Sequence, residues 1–304
     1  MQTILGSNGQ IGQELAKELH SKYTKDIRLV SRKPKKVNET DELVAADLLN
    51  EAETVAAVKG SEIVYFTAGL PMKSAMWEKR FPKMIKNVIK ACETAQAKLV
   101  YFDNTYMYAK TDAIQTENSP FEPEGRKSTV RAELAEMILT EMKHHRLEAV
   151  ICRAPEFYGP GKTQSITNTM IFDRIKAGKE ALIPINDDTL RTLIWTPDAS
   201  RAMALIGNTT TAYGQTWHLP CAEPVTYREL IEHIKMLTQR PIEYRVVKKW
   251  QFKLGSLVNE NLRELQELLP RYEESNRFSD TKFRQQFPTF SNTTIEAGIR
   301  YLFK

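Results

Sequence analysis

The first dozen residues, MQTILGSNGQIG, constrain the fold more than any other stretch of the chain. The apolar pair Ile4-Leu5 runs into Gly6, Gly9 and Gly12, and Ile11, Leu15 and Leu19 follow at helical spacing. That order predicts a first β-strand, a tight glycine turn and a helix N-terminus. Free backbone N–H groups at such a helix start, with the helix dipole, make a site for a dinucleotide pyrophosphate. Glycine is needed because a Cβ would block both the turn and the close approach of phosphate. Asn8, Gln10 and Ile11 lie in the same turn and join the candidate site. Three glycines at this spacing are weak evidence alone, and their place directly after the first strand strengthens them.

A chain of 304 residues can hold one large core, or a core domain with a smaller partner. Its 41% hydrophobic content is that of a globular protein, and no apolar run approaches the roughly 20 residues that span a bilayer. The first strand takes up the N-terminus, which is expected to leave no room for a signal peptide. Cys92, Cys152 and Cys221 are far apart and lack metal-ligand spacing, so they read as buried thiols of a reducing compartment, the cytoplasm. The net charge of +5 and the run Arg32-Lys33-Pro34-Lys35-Lys36 raise nucleic acid as a partner. No aromatic-interleaved basic stripe supports polynucleotide binding, and a solvated loop or a pocket for one phosphate explains the run better.

Downstream, strands alternate with helices. Strands are expected at Ile27 to Val30, Leu43 to Ala46, Ile63 to Phe66, Lys98 to Phe102 and Ala149 to Cys152, with helices at Phe81 to Ala95 and Lys127 to Met142. This alternation predicts an α/β fold with a doubly wound parallel sheet, whose ligands bind at the carboxyl ends of the strands. Residues 1–160 are expected to form the nucleotide-binding domain. Residues 161–304 are expected to form a smaller mixed α/β lobe that returns to the main sheet at about 190–220. Within it, Ser165 to Ala177, Thr226 to Leu237 and Trp250 to Leu269 have helical patterns, and short strands are expected near Leu182, Leu193 and Trp217 and at Ile242 to Val247.

The end of the second strand discriminates between cofactors. An NAD site places an acidic residue there for the ribose 2′-hydroxyl, whereas this chain has Ser31, Arg32 and Lys33. A guanidinium at Arg32 would pair with a 2′-phosphate, so NADP(H) is favoured over NAD(H), unless the two basic residues only solvate a loop. Asp47 suits an adenine-edge contact beside Leu48, although an Asp at a strand end is also commonly a helix cap.

Taken together, the segments resemble the extended short-chain dehydrogenase/reductase superfamily of the NAD(P)-dependent epimerase/dehydratase type, with its Rossmann-type sheet and C-terminal substrate lobe. GSNGQIG resembles the GxxGxxG turn, and Val64 to Gly69 (VYFTAG) the fourth-strand segment on the adenine side, which brings in Ala68 and Gly69. Asn87 sits where the family often has Asn. LVYFDNTYMYA is similar to the fifth strand and catalytic turn, and RAPEFYGPG to the sixth-strand segment with Ala154, Pro155 and Phe157. Arg191 to Ala199 resembles the family's Arg…Asp segment, and Ser279 to Lys282 with Phe287-Pro288 its closing motif.

The resemblance implies a Ser or Thr on the fifth-strand turn, then a Tyr acid/base with a Lys four residues later. Here the matching positions are Asn104, Lys127 and Arg131, so all three are changed. At 100° per residue, Lys127 and Arg131 lie within about 40° of each other and share an arc with Leu134 and Ile138. Thr129, Glu133, Glu136, Thr140 and Lys143 take the opposite face. Charges in line with the apolar stripe are expected to face a cleft. A lysine beside an arginine cation would have its pKa pushed down, as a lysine base requires, while Arg131 bonds the ribose. Equally, the pair could bind cofactor without chemistry. Tyr106 is a second candidate acid.

Trp77, Phe81 and Pro82 could line a substrate pocket or simply be core. Arg191 matches the family's substrate-phosphate position or forms an ion pair with Asp187 or Asp188. His144 and His145 suit the end of the Lys127 helix, and no metal-ligand cluster is visible. Two functions follow: an NADP(H)-dependent epimerase, dehydratase or reductase acting on a small molecule, possibly sugar- or nucleotide-linked, or a non-catalytic NADP(H)-sensing protein. Helices on the sheet flanks allow a homodimer, and neither nucleic acid nor membrane is an expected partner.

Overall fold

The structure, a computed structural model, describes residues 1–163 and 165–304. Seven strands form one parallel sheet: β1 (Gln2–Leu5), β2 (Ile27–Ser31), β3 (Glu42–Ala45), β4 (Ile63–Phe66), β5 (Lys98–Asp103), β6 (Ala149–Arg153) and β7 (Thr216–His218). Their order is β7-β6-β5-β4-β1-β2-β3, which reverses direction at β1. In such sheets the ligand crevice opens at that reversal, beyond the carboxyl ends of the strands.

The central strands are apolar on both sides because helices cover both faces. Alternate residues point to opposite faces: Ile4, Tyr65, Val100 and Val150 join one core with α1 (Gln10–Lys22), while Leu5, Phe66, Tyr101 and Ile151 join the other. The second core is completed by α2 (Glu51–Val58), α3 (Ser74–Ala95) and α4 (Arg126–Lys143), through Ala57, Phe81, Ile85, Val88, Leu134 and Ile138.

Beyond β6 the chain builds a smaller body around Ile171, Phe172, Ile183, Leu193, Leu230 and Ile299. Short strand pairs (Glu156–Tyr158 with Leu193–Trp195, and Ala181–Pro184 with Tyr244–Val247) lie among α5 (Asp173–Lys176), α6 (Thr196–Gly207) and α7 (Tyr227–Thr238). The chain returns to the main sheet when β7 pairs with β6, and α6 packs with α1 on one sheet face.

Ser165 to Ala177 is helical as expected, with a π-helical turn at Asn168–Phe172 running into α5. One helical expectation is corrected. Trp250 to Leu269 is broken into α8 (Lys249–Gly255), α9 (Glu260–Leu265) and a 3₁₀ segment at Gln266–Tyr272. Asn259 causes the break: its side chain accepts from the Asn261 and Leu262 N–H groups and starts a new helix. The C-terminal helices α10 (Thr281–Gln286) and α11 (Ile295–Leu302) close the chain.

Candidate cofactor and catalytic site

At the carboxyl end of β1 the backbone turns at Gly6 with φ 91°, a conformation that L side chains rarely adopt. A Cβ there would lie 2.5 Å from the Ala68 Cα, and one at Gly12 would lie 2.9 Å from the Ser7 Cα. Gly9 differs: its Cβ would meet only the Gly6 carbonyl oxygen, at 3.3 Å. Gly9 is the N-cap of α1, and the first intrahelical bond runs from the Gln13 N–H to Gly9 O. The N–H groups of Gln10, Ile11 and Gly12 therefore precede the helical ladder, as an anion site needs. A cradle that a side chain at Gly9 would fill, under N–H donors without helical partners, fits a dinucleotide pyrophosphate. The Gln10 side chain points to the smaller body, donating to Thr196 Oγ1 (2.6 Å) and to the Pro160 carbonyl.

Asn8 ties the turn to the end of β2. Its Nδ2 donates to Lys33 O (2.7 Å) and its Oδ1 accepts from the Lys35 N–H (3.1 Å). Ser31 Oγ accepts from the Lys33 N–H, and Arg32 is exposed beside it. Among the described residues, Arg32 makes no ion pair. Asp47 is not the cap of α2, which is Asn50; Asp47 Oδ1 instead accepts from the Leu49 N–H in a local turn. Leu48 is fixed by Asn87, whose Nδ2 donates to Leu48 O across 2.8 Å. Ala154 is buried, and its N–H donates to Asp103 O, joining the ends of β5 and β6. Pro155 is buried beside it, and Gly69 lies at the end of the β4 turn.

The turn after β5 is different in character. Asn104 Oδ1 accepts from the Tyr106 N–H, the Tyr106 ring stacks on Trp77 at 6.2 Å, and the Arg271 guanidinium lies over the Tyr106 ring at 4.7 Å. Burial pushes the Tyr106 phenol up, away from the range of an acid active at neutral pH. Arg131 is buried between the Trp77 and Phe81 rings and donates to Tyr101 Oη (3.1 Å). The buried carboxylate of Asp103 lies 3.1 Å from Arg153 Nε and 3.8 Å from Arg131 Nη1.

Arg153 continues into a chain of hydrogen bonds, with Nη1 donating to Tyr108 Oη (2.5 Å) and the Tyr108 oxygen 2.8 Å from His218 Nε2. His218 Nδ1 faces Ser279 O, which can only accept. The ring proton is thus on Nδ1, and Tyr108 donates to Nε2. Burial and the Arg153 cation hold His218 down at about 3.

Lys127 is fully buried on α4, as its place in the apolar stripe predicts. Its neighbours correct the expected electrostatics, because carboxylates surround it rather than the Arg131 cation alone. Lys127 Nζ donates to Glu264 Oε2 (2.5 Å), Glu264 O (2.9 Å) and Ser74 Oγ (2.8 Å), and Glu267 Oε2 lies at 3.7 Å. The same carboxylates cap two helices. Glu264 Oε2 accepts from the Ser74 N–H at the start of α3, and Glu267 Oε1 from the Lys127 and Ser128 N–H groups at the start of α4. Burial works to raise the Glu264 pKa, but hydrogen bonds from Lys127 and Ser74 outweigh it and hold the carboxyl at about 2.

Arg191 is buried, and its partner is neither Asp187 nor Asp188, which pair with Arg228. It faces Glu156 (3.5 Å), donates to Arg271 O (2.7 Å) and lies over the Tyr272 ring. Phe157 is half-buried against the α1 side of the sheet. All three cysteines are free and buried, and no cluster of three metal-ligating side chains occurs among the described residues.

A parallel sheet of this order, with a glycine turn at its switch point, is matched by a family model for the NAD dependent epimerase/dehydratase family, over residues 3–217. The chain belongs to that family. Its extended short-chain dehydrogenase/reductase fold is shared with dTDP-glucose 4,6-dehydratase from Streptomyces venezuelae, at TM-score 0.80 and 13% identity, over 99% of this chain and 96% of the other. UDP-glucuronic acid 4-epimerase from Bacillus cereus superposes at 0.79 and 13% identity over 100% and 96%. UDP-glucose 4-epimerase from Thermus thermophilus does so at 0.77 and 15% over 99% of both chains. In sequence, the chain is 26% identical to the uncharacterized protein y4nL of Sinorhizobium fredii over 226 residues, which are 71% of this chain and 62% of that protein. No described helix is long and apolar enough to cross a membrane.

Sequence reasoning missed Glu264, Glu267, Ser74, Asp103 and Arg153. The i, i+3 spacing of the two glutamates fits any solvated helix face, so it carried no signal. Asp103 and Arg153 ending adjacent parallel strands is a signal that strand-end charge pairing could have exposed.

Proposed function

We propose that the chain binds NADP(H) across the glycine turn and the end of β2, and that it is an epimerase, dehydratase or reductase for a small sugar- or nucleotide-linked substrate. The observation that carries this is the N-terminus of α1, where the N–H groups of Gln10, Ile11 and Gly12 face a cradle open at Gly9. Arg32, exposed and without an ion pair among the described residues, would meet a 2′-phosphate, and Ser31 would add a hydroxyl. Ala68, Gly69, Ala154 and Pro155 would flank the rest of the dinucleotide, and Asp47 and Leu48 its adenine. When bound, the nicotinamide would supply the redox chemistry. Arg131, held between Trp77 and Phe81, would orient the ribose, and Asn104 would bond the reacting oxygen. Lys127 would move the proton only after release from Glu264. The dehydratase and the two epimerases above, which share this fold, are seen with NAD and are named for dTDP- or UDP-linked sugars.

A second possibility, a non-catalytic NADP(H) sensor, is favoured by one observation: the charges at Lys127 are neutralised from within the chain. Incubating the protein and NADPH or NADP⁺ with a panel of UDP- and dTDP-linked sugars separates the two. An enzyme converts at least one sugar, or changes nicotinamide absorbance. A sensor binds NADPH and does neither.

A further inference from the structure

The segment from Glu260 to Tyr272 lies directly on the candidate catalytic positions. Glu264 and Glu267 engage the starts of α3 and α4 and the Lys127 ammonium, while Arg271 donates to Thr105 Oγ1 (3.0 Å) and covers Tyr106. Two carboxylates thus take up the positive ends of a 22-residue and an 18-residue helix, with a fully buried lysine between them. The groups behind them are not satisfied. Ser128 Oγ, Arg131 Nε, Arg153 Nη2 and Asp103 Oδ1 are buried without a hydrogen-bond partner among protein atoms. Native proteins leave few such atoms, and three of the four, on Asp103, Arg131 and Arg153, belong to one ion-pair cluster at the carboxyl ends of β5 and β6, where a polar ligand would complete them.

The segment is anchored at its 3₁₀ end, where Leu268, Leu269 and Tyr272 are buried, and held less firmly along α9. Among its residues in α9 none is buried, and the preceding α8 and its following loop expose Trp250, Leu254, Leu257 and Val258. Short helices with few buried apolar contacts open at low cost.

We propose, resting on the function above, that this mouth is a binding site for a carboxylate-bearing substrate, and that Glu264 and Glu267 are built-in competitors which the substrate displaces. The ligand carboxylate would take the Glu264 position on Lys127 Nζ and the Ser74 N–H and hydroxyl. Its polar remainder would face Asn104 and the unpartnered atoms of Arg131 and Asp103. The segment acts as a latch, and Lys127 is released only when an acidic ligand replaces the latch carboxylates.

The test uses glutarate, a five-carbon dicarboxylate, with the full-length protein and calorimetry. Glu264→Gln/Glu267→Gln should bind glutarate at least about tenfold more tightly than wild type, because one charge-assisted contact no longer has to be displaced. Glu260→Gln/Glu273→Gln, which removes the same charge from exposed carboxylates nearby, should leave the affinity unchanged. Equal affinity in wild type and the Glu264/Glu267 variant, or equal gains in both double variants, overturns the proposal. If the first variant does not fold, hydrogen exchange of wild type decides: glutarate should speed exchange of amides 260–272, and no change overturns it. Repeating the titration in Gly9→Val separates this from the cofactor proposal. Glutarate binding should survive there, and its loss would place the ligand at the glycine turn and overturn the latch. NADPH titration of the same proteins tests the cofactor site independently.

Discussion

The two ends of the crevice solve opposite problems. At the glycine turn, the N–H groups of Gln10 to Gly12 and the Arg32 guanidinium are without partners among the described residues, and on the proposed reading an anion from outside completes them. At the turn after β5 and the start of α4, Lys127, Glu264 and Glu267 complete one another, and two helix N-termini are capped by the same carboxylates. On that reading, one end accepts an anion as it stands. The other already holds its anions and must open to exchange them. A family scaffold can therefore keep its nucleotide half preorganised while its chemical half is conditional.

The largest effect that could break this contrast is at Gly9. Gly9→Val fills the cradle and removes contacts to at least two N–H donors, so NADPH affinity should fall by about a hundredfold or more. The fold should survive, since the Cβ meets only the Gly6 carbonyl oxygen. Fluorescence titration with a parallel melting curve checks both halves; retained affinity would put the phosphates elsewhere.

Next comes Arg32→Ala, which should weaken NADPH by about 1.5–3 kcal/mol, roughly ten- to a hundredfold, while leaving NADH unchanged. An equal loss for both cofactors would mean that Arg32 does not read the 2′-phosphate.

At the closed end, Lys127→Met should behave as a stability variant first. It leaves the Glu264 carboxylate beside an apolar side chain. The expected loss is about 2 kcal/mol, below the range for fully buried pairs because Glu264 reaches the surface. Urea unfolding measures this. NADPH affinity should be unaltered, which sharpens the distinction between the two ends.

A further effect, comparable in size by pH 5, is in acid. His218 is neutral in the fold and held at about 3 against an ordinary 6.5, so the unfolded chain binds its proton first. Stability from this residue is full above pH 6.5 and is lost as pH falls towards 3, by up to about 1.4 kcal/mol per unit. Glu264 adds a loss in the same direction below 4.5, continuing to about 2. Melting curves between pH 7 and 5 should show the decline in wild type and a shallower one in His218→Gln.

Much of the open end was legible in the sequence because it depends on short-range rules. A glycine turn after a strand, alternating apolar runs and the residues that end β2 are local features, and six of the seven sheet strands follow from them. The seventh, near Trp217, was visible as a strand but its pairing with Cys152 was not, since that needs long-range order. The inward face of α4 was also legible, because Lys127 and Arg131 share an arc with Leu134 and Ile138. What Lys127 touches was not. Glu264 and Glu267 arrive from about 140 residues away, on a segment whose single helical pattern Asn259 divides. Arg191 failed for the same reason. Its near neighbours Asp187 and Asp188 are taken by Arg228, and its own carboxylate comes from Glu156 on another strand.

The most direct measurement is hydrogen exchange of the wild-type protein with and without saturating NADPH. Protection should rise at the amides of residues 6–12 and 31–33, while exchange at 127–131 and across the 260–272 segment stays unchanged. If NADPH leaves the glycine turn unprotected, or acts instead by loosening 260–272, the division into an open nucleotide end and a self-neutralised catalytic end is wrong.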